Sequence, residues 1–143
     1  MKNTANTLID AGPLIAVFNR NDDYYTECLR LYQALDPPFY TTLAVLAEAM
    51  YTLGARAGWH GQQLLWKIIL HGDLLLEHPS PGEIVRMSEL MSKYRDRPMD
   101  FADASLVALA ERLSLDRIFT VDRRDFSTYR LHGKKAFTVL GPG

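Results

Sequence analysis

The sequence lacks the features that mark secreted, membrane or strongly basic proteins. Cys28 is its single cysteine, so no internal disulfide can form, and no Cys/His spacing typical of a zinc site occurs. No apolar run approaches the roughly 18 residues of a membrane span, and the opening MKNTANTLID turns polar too early for a signal peptide. With 16 Lys and Arg against 17 Asp and Glu, the net charge is −1, so no overall basic field attracts nucleic acid. We therefore expect a cytoplasmic protein with no membrane partner.

The amino-acid composition and the order of predicted elements indicate one globular α/β domain over residues 1–143. Hydrophobic residues make up 48% and charged residues 23%, with no low-complexity tract. Predicted strands alternate with helices, which favours a parallel sheet covered by helices on both faces. The strands are predicted at 4–9 (TANTLI), 38–42 (PFYTT), 73–78 (DLLLEH), 117–121 (RIFTV) and 135–140 (KAFTVL), and 122–126 (DRRDF) is predicted as a turn.

Several acidic residues occupy unusual positions in this pattern. Asp10 and Asp122 directly follow predicted strands, where open α/β sheets bind ligands. Glu48 lies in the largely apolar LAVLAEAM, and Asp103 opens DASLVALA on the same helix face as Asp100. Neither Glu48 nor Asp103 has a Lys or Arg three or four residues away to pair with. Buried carboxylates drawn together would repel one another, and hard oxygen ligands without Cys or His favour Mg²⁺ or Mn²⁺. The residues alone therefore indicate a metal-dependent phosphodiester or phosphomonoester enzyme.

Each acid also has a purely structural interpretation. Asp10 and Asp100 precede predicted helix starts and could cap backbone amides there. Asp103 could be a favourable charge in the first helical turn, and Glu48 could occupy an exposed helix edge. Asp122 stands in a turn, where Asp is common. The functional interpretation depends on the joint placement of the acids at strand ends and helix starts.

A basic segment follows Asp122 and has two interpretations of equal weight. It could contact a phosphate backbone, or it could be an ordinary solvated surface. Its cations are Arg123, Arg124, Arg130, Lys134 and Lys135.

Four segments resemble, in their order and spacing, those of the PIN-domain ribonucleases. They are LIDAGPLIA, TTLAVLAEA, MDFADASLVALAE and FTVDRRDF, and together they extend the resemblance over essentially the whole chain. The resemblance is strongest to VapC-like toxins of type II toxin–antitoxin systems and to their stand-alone bacterial relatives. It implies a three-layer α/β/α sandwich with a mostly parallel five-stranded sheet, and Mg²⁺- or Mn²⁺-dependent hydrolysis of single-stranded RNA. It also implies a homodimer and a possible cognate antitoxin.

The resemblance also assigns roles to individual acids. Asp10, Glu48 and Asp103 match the three main acids of the family, and Asp122 matches a more variable fourth position. These four are therefore expected to be catalytic metal ligands. Asp100 matches an acid found in many relatives, which implies a catalytic role as an outer ligand or as a group that positions water.

Three further residues are expected to contact the substrate. Thr120 matches a polar position near the metal that binds a coordinated water or the scissile phosphate, and Arg123 and Arg124 are expected to contact RNA. Gly12 departs from the family, since many relatives carry Ser, Thr or Asn there. Without that side chain, a backbone amide or water must support the metal surroundings.

The same residues allow three alternatives to a nuclease to be compared. A PIN fold that has lost its chemistry could act as an RNA-binding or protein-binding module, which the complete acidic set argues against. A receiver-type phosphoacceptor needs paired acids directly after the first strand, but Asp22 and Asp23 lie well beyond it. A haloacid-type phosphatase needs a second Asp close to Asp10, where Ala11 and Gly12 stand instead. Binding of Mg²⁺ at millimolar concentration would separate the nuclease from the non-catalytic module.

Overall fold

The computed structural model describes residues 6–142, which alternate between strands and helices as expected. The elements are β1 (Thr7–Ile9), α1 (Ala11–Val17), α2 (Tyr25–Ala34), β2 (Phe39–Thr42), α3 (Leu43–Leu70), β3 (Leu74–Glu77), α4 (Pro81–Lys93), α5 (Phe101–Leu113), β4 (Arg117–Phe119), α6 (Arg123–Thr128), β5 (Arg130–Leu131), β6 (Lys135–Ala136) and β7 (Thr138–Leu140).

Five of the strands form one parallel sheet in the order β3-β2-β1-β4-β7. Leu8 of β1 is in register with Tyr40 of β2 on one side and with Ile118 of β4 on the other. Because β1 and β4 are neighbours and parallel, the residues that follow them meet at the same carboxyl edge. The Asp10 backbone N–H donates to the Phe119 carbonyl at 2.9 Å, which extends this pairing to the edge itself.

Helices flank the sheet and complete the α/β/α arrangement. The α1 helix packs against α2 and α3, and α4 packs against α5. Nine consecutive residues of α5, from Ala102 to Ala110, are buried, so this helix lies inside the protein on nearly all sides. The apolar sequence LAVLAEAMYTLGARAG predicts a helix that ends at Gly58, and HGQQLLWKIIL predicts another after it. The structure joins both in α3, which Gly58 interrupts at φ +66° and ψ −162°. Within residues 6–142, no helix combines the length and the apolar character that crossing a bilayer requires.

Two sequence predictions about the C-terminal part are wrong. The segment 122–126, predicted as a turn, begins α6, because the Asp122 side chain caps the helix and Phe126 is buried. The segment 135–140, predicted as one strand, divides at the buried Phe137. Its first part, β6, pairs antiparallel with β5, and its second part, β7, joins the main sheet beside β4.

The predicted N-terminal boundaries also shift. The first strand, predicted over 4–9, begins at Thr7 in the described chain, and its predicted residues 4 and 5 lie outside the described residues. The first helix begins at Ala11 rather than near Pro13, since the Asp10 carboxylate caps it.

Candidate active site

Asp10 and Thr120 are linked at the carboxyl ends of the two central strands. The Thr120 hydroxyl donates to Asp10 Oδ2 at 2.9 Å, and the Ala11 backbone N–H donates to Asp10 Oδ1 at 2.8 Å. Asp10 is 8% exposed and Thr120 is fully buried. Thr120 Oγ1 also accepts a hydrogen bond from the Asp122 backbone N–H at 2.9 Å. One hydroxyl therefore fixes the Asp10 carboxylate and the start of the loop that carries Asp122.

Asp103 is the second buried acid, and a tyrosine from another element holds it. The Tyr129 hydroxyl donates to Asp103 Oδ2 at 2.8 Å. Tyr129 is itself buried, with the rings of Tyr94 and Phe126 at centroid distances of 5.1 and 5.2 Å in edge contact. The Asp103 backbone N–H donates to Asp100 Oδ1 at 2.7 Å, so Asp100 caps α5. The position of the Asp103 carboxylate thus depends on the packing of the C-terminal aromatic cluster.

Glu48, Asp100 and Asp122 are exposed, unlike the two acids above. The expectation that Glu48 is a buried carboxylate is therefore wrong, because this side of α3 faces solvent. The Glu48 side chain makes no hydrogen bond or ion pair with another residue of the described chain, so it is free to reorient. The capping interpretation is confirmed for Asp10 and Asp100, each of which accepts from a backbone N–H at a helix start. Asp122, interpreted from the sequence as a turn residue, caps α6 in the same way.

Burial and neighbouring negative charges raise the pKa values of Asp10, Asp103 and Asp122. Burial, followed by the negative charges of Glu48 and Asp100, raises the pKa of Asp10 to about 6. Burial raises the pKa of Asp103 to about 8, and the charges of Asp100, Asp10 and Asp122 add to this, while the Tyr129 hydroxyl opposes it. The pKa of Asp122 rises to about 6 through desolvation and the adjacent Asp125, with a smaller contribution from Asp10.

The Glu48 carboxyl belongs to the same electrostatic group. Its pKa is raised by desolvation and by the charge of Asp100. The structure therefore brings Asp10, Glu48, Asp100, Asp103 and Asp122 within electrostatic range of one another, as the sequence predicts. In residues 6–142, none of the five forms an ion pair with a Lys or Arg.

The two arginines expected at the substrate begin α6, directly after Asp122. Arg123 is half-buried, and its Nη1 donates to the Val139 carbonyl at 2.9 Å, so part of its guanidinium ties α6 to β7. Arg124 is exposed and has no such contact. Of the two, Arg124 has the more accessible charge.

The donor set has the chemistry that a divalent cation requires, but the side chains are not closed around a site. All five acids supply hard oxygen ligands, and the raised pKa values of Asp10, Asp103 and Asp122 reflect burial together with a concentration of negative charge that a cation would neutralise. As placed in the described part of the chain, no three His, Cys, Asp or Glu side chains form a group that could hold a metal ion. The fit of this site to a divalent cation therefore rests on the residue types and on the negative charge that they concentrate.

Sequence reasoning does not identify the roles of Tyr129 and Val121. Tyr129 belongs by its position to the basic segment, and no sequence spacing connects it to Asp103, 26 residues earlier. Val121 explains the departure at Gly12, because a Cβ at Gly12 would overlap Val121 Cγ2. Nothing in the sequence of either segment signals this contact, since it arises only when β1 and β4 lie side by side.

A five-stranded parallel sheet with acids at its carboxyl edge defines the class of this protein as a PIN-like α/β/α domain. The PIN domain family model matches residues 7–130, so the chain belongs to the PIN domain family. Ribonuclease VapC26 of Mycobacterium tuberculosis is 28% identical over 133 residues, which cover 93% of this chain and 98% of that protein. The resemblance stated from the four sequence segments is confirmed.

Solved structures show the same fold at low sequence identity. Mycobacterium tuberculosis VapC20, described as a sarcin–ricin loop cleaving toxin, has a TM-score of 0.75 and 21% identity over 83% of this chain and 93% of its own. A toxin–antitoxin complex from Klebsiella pneumoniae has a TM-score of 0.69 and 19% identity over 98% of both chains. VapBC2 from Rickettsia felis, bound to a promoter DNA fragment, has a TM-score of 0.66 and 16% identity over 94% of this chain and 98% of that chain. The five-stranded α/β/α fold predicted from sequence is thus confirmed.

Proposed function

We propose that this protein is a Mg²⁺- or Mn²⁺-dependent endoribonuclease of the VapC type that hydrolyses phosphodiester bonds in single-stranded RNA. The observation that carries the proposal is the pair of buried acids, Asp10 and Asp103, whose pKa values are raised by burial and by neighbouring acids. Such a concentration of unpaired carboxylates at the ligand-binding edge of a parallel sheet is costly for folding alone. The ribonuclease relative, 28% identical over nearly the whole chain, supports the same activity.

Four acids would hold the cation in this proposal: Asp10, Glu48, Asp103 and Asp122. When bound, the ion would activate water and neutralise charge on the phosphate. Thr120 holds the Asp10 carboxylate in position and Tyr129 holds that of Asp103. An exposed carboxylate, Asp100 or Asp122, would accept the proton of the attacking water.

The surroundings of the acids suggest how RNA would be held. The exposed guanidinium of Arg124, and the free part of that of Arg123, lie at the start of α6 beside Asp122, where they would attract phosphates. The Thr120 hydroxyl donates to Asp10 Oδ2, so it would contact a metal-bound water or the scissile phosphate on the side of the cation. Because two similar solved structures are toxin–antitoxin assemblies, we include a cognate antitoxin in the proposal. The homodimer implied by the family resemblance and the cytoplasmic location expected from the sequence are also part of it.

Cleavage of end-labelled single-stranded RNA tests the activity. Wild-type protein is assayed with Mg²⁺ or Mn²⁺, with EDTA, and as the Asp10→Asn variant, which keeps the capping geometry but removes the charge. Asp36→Asn is the matched control, because Asp36 precedes β2 and lies toward the opposite edge of the sheet. Cutting that is lost with EDTA and with Asp10→Asn, but kept with Asp36→Asn, supports the proposal. Cutting by Asp10→Asn at the wild-type rate refutes the site.

A catalytically inactive PIN-fold module that binds RNA or protein is the second candidate. The observation in its favour is that no three acidic, Cys or His side chains in the described chain are arranged to hold a metal ion. Calorimetric titration of the wild-type protein with Mn²⁺ distinguishes the two functions. Binding that is lost in Asp10→Asn supports the nuclease, and absence of binding at millimolar Mn²⁺ supports the module.

A further inference from the structure

A cleft of about 320 Å³ lies directly beside the candidate active site and is not used by the function proposed above. Gly12 and Val121 line the cleft, and each is within two residues of a residue in the Asp10–Thr120 pair. The connection between α1 and α2 and the Arg56 side chain of α3 line the rest. Its volume falls in the range of small-ligand sites, which run from about 300 to 1,000 Å³.

Asn19, a largely buried residue, contributes an unpaired amide donor to this cleft. The residue is 7% exposed, and its Oδ1 accepts from the Asn21 backbone N–H at 3.2 Å, which fixes the side chain. Asn19 Nδ2 donates no hydrogen bond within residues 6–142. No fully buried side-chain nitrogen or oxygen in the same part of the chain lacks a partner, so this nitrogen must reach open space, and Asn19 lines the cleft.

An aromatic ring and a cation accompany this amide. Tyr24 is 42% exposed, and its side chain makes no capping bond although the residue stands at the start of α2. Arg56 is exposed, and its guanidinium has neither a hydrogen bond nor an ion pair with any residue from 6 to 142. A half-exposed ring beside unpaired polar groups is the arrangement by which proteins hold unstacked RNA bases.

We propose that this cleft binds the base of the nucleotide next to the RNA bond that is cut, stacked on Tyr24 and hydrogen-bonded by Asn19 and Arg56. The inference rests on the proposed nuclease function, since it places the base relative to that reaction. Two acids in the same cleft, Asp22 and Asp23, indicate a base rather than a phosphate as the occupant, because they would repel an anion.

The lining groups also select among bases. The Asp22 and Asp23 carboxylates accept hydrogen bonds, although Asp22 Oδ1 already accepts from the Tyr24 backbone N–H at 2.9 Å. Asn19 and Arg56 donate. Adenine and cytosine each present an amino group with two N–H donors for these carboxylates, beside a ring acceptor for Asn19 or Arg56, whereas uracil offers the carboxylates a single ring N–H. The cleft therefore favours adenine or cytosine over uracil at this position.

Binding of free nucleosides tests the cleft without involving cleavage. Because nucleosides carry no phosphate, the acidic site does not repel them, and EDTA can be present throughout. Amide NMR signals of ¹⁵N-labelled wild-type protein are followed during titration with adenosine, cytidine and uridine. We expect the Asn19 side-chain and Tyr24 backbone signals to shift with adenosine or cytidine at concentrations at least fivefold lower than with uridine.

Variants separate stacking and charge from general effects on the fold. Tyr24→Leu removes the ring and should weaken adenosine or cytidine binding about fivefold or more, whereas Tyr24→Phe should bind as the wild type does. Arg56→Gln should weaken binding, and Arg30→Gln is its matched control, since Arg30 is exposed on α2 and lines no part of this cleft. Equal thermal unfolding temperatures for the four variants would show that the fold is retained.

The results test base binding in the cleft and the nuclease activity separately. Unshifted Asn19 and Tyr24 signals, equal binding of uridine, or identical behaviour of Tyr24→Leu and Tyr24→Phe would overturn the base site. If wild-type protein cuts RNA, Tyr24→Leu should lose the base preference beside the cut while Tyr24→Phe keeps it. Cutting with an unchanged preference in Tyr24→Leu refutes the cleft alone. Selective nucleoside binding without any RNA cleavage supports the base site and refutes the nuclease.

Discussion

Replacing Tyr129 by Phe removes one hydroxyl from the contact that holds Asp103 and leaves the aromatic packing in place. The hydroxyl donates to Asp103 Oδ2 at 2.8 Å, and both residues are buried. A hydrogen bond to a charged group contributes about 1.5–3 kcal/mol, and one between neutral groups about 0.5–1.5 kcal/mol. We therefore expect Tyr129→Phe to lower the free energy of unfolding by the larger amount where Asp103 is ionised.

The protonation of Asp103 makes this loss depend on pH. Burial raises the pKa of Asp103 from 3.8 to about 8, and the Tyr129 hydroxyl opposes the rise. A carboxyl whose pKa is raised on folding favours the folded state fully below its unfolded pKa, and this contribution is lost as pH rises through the folded pKa. At pH 6 Asp103 is largely protonated, so the loss from Tyr129→Phe should be small. At pH 9 the ionised carboxylate loses its donor, and the loss should be larger.

Urea unfolding followed by circular dichroism, at pH 6 and pH 9 in EDTA, measures this difference. Tyr94→Phe is the matched control, because the Tyr94 hydroxyl accepts from the Arg130 backbone N–H at 3.1 Å and contacts no carboxylate. Its effect should be the same at both pH values. An equal loss at pH 6 and pH 9 for Tyr129→Phe, or no loss at pH 9, would refute the proposed dependence on Asp103 ionisation.

Three further outcomes are expected. Because the pKa values of Asp10 and Asp103 are raised to about 6 and about 8, metal-free wild-type protein should lose thermal stability from pH 4 to pH 9, and Mg²⁺ should restore more at pH 8 than at pH 5. Thr120→Val removes the donor to Asp10 Oδ2 and should cost about 1–3 kcal/mol in urea unfolding. Gly141→Ala should lower the unfolding temperature, because its Cβ would overlap the Thr120 carbonyl at φ +150°, whereas Gly82→Ala on an open face should not.

The sheet and its acidic edge could be predicted because they depend on local sequence signals. The short apolar strand before Asp10 predicted where β1 ends, although β4 ends at Phe119, two residues before the predicted end. Parallel pairing of β1 and β4 then placed Asp10 beside the loop that carries Asp122. The region after β4 could not be predicted in the same way. Its helix and hairpin are only a few residues long and are held by tertiary contacts, such as Phe126 against Phe137 at a centroid distance of 5.7 Å.

The exposure of the acids could not be predicted either. In LAVLAEAM, apolar letters occupy nearly every position, so helical periodicity does not show which face is buried. The structure places Val45 and Ala49 inside, and leaves Leu43 and Glu48 exposed. An acid among apolar residues suggested a buried charge, whereas the Glu48 side chain is exposed. Burial of Asp103 was expected correctly, because α5 is enclosed on nearly all sides.

Gly12 illustrates how a departure from a family pattern can follow from packing. A side chain at this position would collide with Val121, so glycine and valine are a matched pair across β1 and β4. A hydroxyl at position 12 is also not needed to support Asp10. One oxygen of that carboxylate accepts from the Ala11 N–H and the other accepts from the Thr120 hydroxyl. We therefore expect loss of the Thr120 hydroxyl to disturb Asp10 in this chain more than the absence of a polar side chain at Gly12 does.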